Sequence, residues 1–150
     1  MENAIKEIMS TNVETIDITE NAQEVAKKMN HKRISSVLVI DKNKREEEPL
    51  GIITERDLVV RICATGASSK TVSVKEIMSS PVATIEKEAT VETAADLMLS
   101  NKVRHLLVVD GLTRRPVGIV APSDPNKYLR ANIDWDEVNA RILKAIEAEV

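Results

Sequence analysis

A chain of 150 residues with a formal net charge of −3 lacks the basic excess that would neutralise a run of nucleic-acid phosphates, and no stretch approaches the roughly 20 apolar residues of a membrane span. Its single cysteine, Cys63, excludes an internal disulfide and a multi-thiolate zinc cluster, which predicts a reducing, cytoplasmic setting. Phe is absent and aromatic residues make up 1% of the chain, so the core has to be built from Val, Ile, Leu, Ala and five Met.

In chain order, Lys6-Glu7-Ile8-Met9-Ser10 comes first and returns 69 residues later as Lys75-Glu76-Ile77-Met78-Ser79, which makes the chain two copies of one unit. Thr15-Ile16 and Thr84-Ile85 then mark a short first strand in each copy. Ala22, Val25, Ala26 and Met29, matched by Val91, Ala94, Ala95 and Met98, keep the i, i+3, i+4, i+7 spacing of one helix face. Residues 37–41 and 106–110 are apolar runs closed by Asp, and their lack of polar alternation predicts strands covered on both faces. A charged hairpin connection over residues 42–49, shorter at 111–116, leads to strands at 51–54 and 118–121 and then to a second helix, from Glu55 to about Ile62 and from Asp124 to Asn132.

Residues 64–73, rich in Ser, Gly, Thr and Ala, read as a linker. The predicted organisation is therefore a first repeat at 1–63, the linker, a second repeat at 74–132 and an amphipathic C-terminal helix at 133–150. In that helix Val138, Ile142, Leu143 and Ile146 form the stripe, Asp134 is the N-cap and Trp135 an anchor. The fold class is α/β of the mixed α+β kind, a tandem of β-α-β-β-α units.

The doubled Ile-Met-Ser, the apolar strand ending in Asp and the run Gly-Ile-Ile-Thr-Glu-Arg-Asp-Leu resemble the cystathionine-beta-synthase (CBS) domain family, and the likeness covers residues 5 to about 130. The resemblance implies a pair of repeats, or Bateman module, packed through their sheets about a pseudo-twofold axis. It also implies two equivalent clefts, a homodimer, and an adenosine ligand such as AMP, ADP, ATP or S-adenosylmethionine. By that resemblance one cleft takes phosphate and ribose on Arg33, Thr54, Arg56 and Asp57 over a floor at Ile52, and the base against Pro81, Val82, Ala83 and Val103. The twin uses Arg104, His105, Ser123, Asp124 and Ile119 on the phosphate side and Asn12, Val13, Glu14 and Ile34 on the base side. There Ala121 stands where the first copy has the Thr54 hydroxyl and Pro125 follows Asp124, so the Asp57 cleft is expected to bind more tightly.

Simpler roles stand beside these. Thr54 with Asp57 is also a variant of the helix capping box, and Arg33 and Arg104 also fit plain surface charges at helix ends. His31 and His105 have no metal-ligand spacing around them, Cys63 reads as a small core residue, and Met9, Met29, Met78 and Met98 read as packing. No nucleophile, base and orienting acid can be assembled, so the expected role is regulatory binding that senses cellular energy, not catalysis. The alternative is an interaction or dimerisation module with vestigial clefts.

Overall fold

In the computed structural model, which describes residues 4–44, 48–122 and 135–148, each copy forms a three-stranded sheet. Copy one runs β1 (Thr15–Asp17), α1 (Ala22–Lys32), β2 (Ser36–Ile40), β3 (Gly51–Thr54) and α2 (Glu55–Leu58), the last continued by a π-helical turn over Val59–Cys63. After α3 (Val74–Ile77), copy two repeats it as β4 (Thr84–Glu86), α4 (Val91–Asn101), β5 (Leu106–Val109) and β6 (Pro116–Val120). The outer strands β1 and β4 pair in parallel with β2 and β5, which pair antiparallel with β3 and β6. A C-terminal helix, α5, spans Trp135–Ala148. The second helix expected over 124–132, the N-cap Asp134 and the side chains of Trp135, Val138 and Ile146 lie outside the described residues.

The unbroken apolar runs of the central strands are explained by two different apolar layers. Val37 and Val39 of β2 face α1 in one cluster, while Leu38 faces the other sheet; in β5, Leu106 and Val108 face α4, and Leu107 and Val109 face across. Leu38, Ile52, Leu107, Val109 and Ile119 meet between the sheets, with Val13 and Val82 packed against them, so a period of two feeds two cores and leaves no polar position. The helix stripe is narrower than the spacing predicts. Ala22, Val25 and Met29 are buried but Ala26 is exposed, and in copy two Ala94 is buried and Ala95 exposed. Each helix therefore lies on its sheet along one row.

The segments that open each copy lodge in the other. Val74 and Ile77 of α3 are buried in the core of copy one with Val25, Val39 and Ile53, whereas Ile5 is fully buried in copy two with Ile85, Leu106 and Val120. Backbone bonds repeat the exchange: Val74 N–H donates to Glu20 O at 2.9 Å and Ile5 N–H to Ala89 O at 2.8 Å. Ser79 and Ile52 exchange two N–H···O bonds at 2.9 and 3.0 Å, as do Ser10 and Ile119 at 2.8 and 2.9 Å. Each crossing needs a glycine. A Cβ on Gly51 would sit 2.8 Å from Met78 Sδ and 2.9 Å from Ser79 O, and one on Gly118 would sit 2.6 Å from Met9 Sδ and 2.8 Å from Ser10 O. The segment read as a linker is tied down as well, since Val72 O and Ser69 O accept from the Ala22 and Gln23 amides at the start of α1.

Candidate functional site

Among the described residues several cavities open between the copies, and two of them are related by the repeat. The first, about 570 Å³, is walled by Ile52, Thr54, Glu55, Arg56 and Asp57 at the β3–α2 corner of copy one, and by Ser79, Pro81, Ala83, Lys102, Val103, Arg104 and His105 of copy two, with Ser35 between them. Such a volume lies in the range of small-molecule sites. The second, about 460 Å³, is its counterpart: Ser10, Asn12, Arg33 and Ile34 of copy one face Ile119 and Ala121 of copy two.

The structure thus brings Ile52, Thr54, Arg56, Asp57, Pro81, Ala83 and Val103 around one cavity. Val82 turns away into the core between the sheets. Arg33 and Arg104 exchange places relative to the sequence assignment: Arg33 lines the second cavity and Arg104 the first. The reason is local. Arg33, at φ 54°, is the left-handed C-cap of α1 and leads into β2 beside its own copy's opening segment, and Lys102, also at φ 54°, does the same for α4 and β5. Lys102 is therefore the true repeat partner of Arg33, which the 69-residue offset could have shown. The same offset carries Ser10 to Ser79, a second wall residue that sequence reasoning missed.

Of the twin set, Asn12, Ile34, His105 and Ile119 line the second cavity. Val13 packs between the sheets like Val82. Glu14 points over α1 instead, 3.8 Å from Lys28 Nζ and 3.7 Å from Lys32 Nζ, while its carbonyl accepts from Leu38 N–H. Ser123 and Asp124 lie outside the described residues.

Thr54 and Asp57 do form the capping box. The Thr54 amide donates to Asp57 Oδ2 at 2.8 Å, the Thr54 hydroxyl donates to the same oxygen at 3.2 Å, and the Asp57 amide donates to Thr54 Oγ1 at 3.4 Å. Asp57 Oδ1 stands 3.8 Å from Arg61 Nε, so one carboxylate oxygen caps while the other faces a cation. Arg56, Lys102 and Arg104 make no ion pair among the described residues, which leaves three cations on the first cavity beside Glu55. Ser35 Oγ and His105 Nε2 lie 3.1 Å apart, a hydrogen bond between the copies whose donor depends on the imidazole tautomer.

Other residues fall elsewhere. Cys63 is exposed, against the expectation of a core position, because the wider π-turn, closed by Ala64 N–H to Val59 O, puts Ile62 inward in its place. Met29 is buried, and Met9, Met78 and Met98 pack against the cores. His31 is exposed, and among the described residues no group of three His, Cys, Asp or Glu could hold a metal ion. No helix among them is long and apolar enough to cross a membrane.

The chain belongs to the CBS domain family, whose profile matches it twice, at residues 5–63 and 74–130. An uncharacterized protein of Methanopyrus kandleri is 37% identical over 134 residues, which is 87% of this chain and 66% of that protein's length. Among solved structures, the hexameric CBS-CP12 protein from bloom-forming cyanobacteria is similar with a TM-score of 0.75 and 28% identity, covering 97% of this chain and 88% of its own. The CBS domain pair of protein MJ0100, in complex with 5′-methylthioadenosine and S-adenosyl-L-methionine, has a TM-score of 0.74 and 25% identity over 89% of this chain and 100% of its own.

Proposed function

We propose that this chain is a cytoplasmic regulatory module that takes an adenosine nucleotide of the AMP, ADP or ATP class into the cleft between its copies. The observation that carries the reading is the first cavity: polar groups from one copy, Thr54, Arg56 and Asp57, face the apolar Pro81, Ala83 and Val103 of the other across about 570 Å³. A ribose and phosphate suit the first wall and a purine ring the second. The adenosine compounds named for the MJ0100 pair support an adenosine core, and S-adenosylmethionine remains the competing ligand for the same walls. Three cations on the first cavity that make no ion pair among the described residues favour a phosphate over a sulfonium there. A ligand held by both copies sets their relative angle, and a homodimer presents that angle to a partner protein.

Thermal denaturation with AMP, ADP, ATP and S-adenosylmethionine tests this. At about 100 times its Kd a ligand that binds only the folded chain adds about 2.7 kcal/mol, a rise of about 5–10 °C at this size. An unchanged midpoint with all four rejects the reading. The Asp57 cleft is the tighter one, because Thr54 offers a hydroxyl where Ala121 has none. Calorimetry on Asp57→Ala and Asp124→Ala checks it: greater damage from the second change reverses the ranking.

A second reading, assembly through apolar faces, has its own observation. Val59 and Val60 on the second helix of copy one are 58% and 47% exposed, and Ile142 and Leu143 on α5 are 51% and 60% exposed. Sedimentation of Val59→Glu and Ile142→Glu variants, with and without AMP, separates the two: a dimer lost without any nucleotide response favours assembly alone.

A further inference from the structure

At the hairpin ends of the sheets, away from the two clefts, a further cavity of about 860 Å³ opens between the copies. Val13, Thr15 and the buried Leu38 and Ile40 of copy one form its floor, with Glu48 and Pro49 on one rim. Thr113, Arg114, Arg115 and Pro116 of copy two form the other rim. The copies differ here. Ile40 is buried yet joins none of the three apolar clusters, whereas Val109, its partner at the 69-residue offset, packs in the layer between the sheets. The ladder of β2 and β3 keeps one register, but that of β5 and β6 shifts between Val108 and Val109, where Val109 meets Pro116. Such a bulge bends its strand and re-aims the side chains beside it, and here Arg114 and Arg115 stand against the strands of copy one. We propose that this cavity is a second ligand site, separate from the nucleotide clefts, for a small organic carboxylate with an aliphatic body.

The loop that carries the arginines is held firmly. Asp110 Oδ1 accepts from the Leu112 and Thr113 amides at 3.0 Å each, Arg114 N–H donates to Asp110 O at 2.8 Å, and Asp110 N–H donates to Arg115 O at 2.9 Å. Arg114 takes φ 61°, a left-handed position that hairpins commonly give to glycine. Among the described residues the other non-glycine residues at such angles are Arg33 and Lys102, and all three are cations on cavities between the copies. Helix capping accounts for Arg33 and Lys102, but Arg114 has no helix to cap. Charge then selects the ligand class. Arg115 forms no ion pair among the described residues, Arg114 Nη1 stands 3.7 Å from Glu86 Oε1, and Glu48 lies on the opposite rim. The positive excess is small, suited to one carboxylate and too little for a polyphosphate, and a guanidinium fork matches both carboxylate oxygens. Val13, Leu38 and Ile40 make an aliphatic floor between Pro49 and Pro116, so the rest of the ligand is apolar.

Octanoate, octyl phosphate and octanol, titrated calorimetrically into the full chain, test the site without reference to nucleotide binding. Expected is saturable binding of one octanoate, tighter than that of octyl phosphate or of the uncharged octanol. Arg115→Gln, a change at an exposed side chain, should weaken octanoate by at least about 10-fold. Arg115→Lys should fall between, since an ammonium keeps the charge and loses the fork. Thr113→Trp, which fills the cavity from its exposed rim, should abolish binding. Arg56→Gln and Arg33→Gln, on the first and second cavities, should leave the octanoate affinity within about 2-fold. The proposal is overturned if octanoate shows no saturable binding with a Kd below about 1 mM, or if Arg115→Gln binds it as the unaltered chain does. Equal losses in Arg56→Gln or Arg33→Gln would place the ligand in a cleft and overturn it as well. Tighter binding of octyl phosphate than of octanoate would overturn the ligand class.

Discussion

The two copies agree where they touch each other and differ where each serves itself. At the crossings the match is residue for residue: Gly51 and Gly118 admit Ser79 and Ser10, and Val74 and Ile5 fill the opposite cores. At the outer ends of the sheets the same task, holding the end of the first strand to the hairpin loop, is done by different groups. In copy one Asp17, buried at the end of β1, accepts from the hydroxyl and amide of Thr19 and from the amide of Lys42. In copy two Asp110, after β5, accepts from the Leu112 and Thr113 amides and forms an ion pair with Lys87 at 2.6 Å. The contrast teaches that the exchange of opening segments is the shared constraint, because one change there disturbs both halves, while each loop tie answers only to its own copy.

The largest effects should come from breaking the exchange. Ile77→Ala and Ile5→Ala each remove a fully buried side chain and should cost about 2–5 kcal/mol in urea denaturation. Their location is the sharper test. Protection from hydrogen exchange should fall most in β1–β3 for Ile77→Ala, although Ile77 follows the linker, and most in β4–β6 for Ile5→Ala. Losses confined to the copy that each residue opens in sequence would contradict the exchange. Next come Gly51→Ala and Gly118→Ala, each of which drives a Cβ against a backbone oxygen closer than 3.0 Å. Each should cost about 1–3 kcal/mol, and the two should agree to within about 1 kcal/mol if the crossings are equivalent.

Much of this architecture was legible in the sequence because the repeat is long and its apolar spacing switches from 3.6 to 2 at each strand. The strands at Val37, Gly51, Leu106 and Gly118 and the helices at Ala22 and Val91 all stand where spacing puts them. Nothing in the sequence shows which copy receives Ile5 or Ile77, since apolar periodicity says that a side chain is buried but not in whose core. The same limit misplaced Arg33 and Arg104, whose clefts are decided by which opening segment lies beside the end of α1 or α4. Cys63 failed for a different reason: a π-turn shifts the helical phase by one residue, and period counting assumes a constant pitch. The Thr54–Asp57 pair was legible as a cap, and the geometry shows that it both caps and faces the first cavity.

The smallest predicted effect separates the two loop ties by their electrostatics. The hydroxyl and amide of Thr19, aided by the Lys42 amide, hold the Asp17 carboxyl down to about 2, and the Lys87 ammonium with the Thr113 and Leu112 amides holds Asp110 well below the usual carboxylate range. Both folded values lie below the unfolded value of about 3.9, so each contribution is complete above about pH 4 and drains away as pH falls through the folded value. For Asp17 that window runs from about pH 4 to about 2, and for Asp110 it extends lower. Asp17→Asn and Asp110→Asn should each flatten part of the acid limb of a urea midpoint measured against pH. Salt and base then tell the ties apart. Asp110 leans on a full charge, with Lys87 and Asp110 side chains 33% and 22% exposed, so 1 M NaCl should shrink the Asp110→Asn difference while leaving the Asp17→Asn difference nearly intact. Lys87, raised above its ordinary value by Asp110, adds an alkaline limb: its contribution is whole below about pH 10.4 and is lost as pH rises through the folded value. A salt response of equal size at both aspartates would mean that the ion pair contributes no more than the loop amides, and that the two copies are tied by the same physics after all.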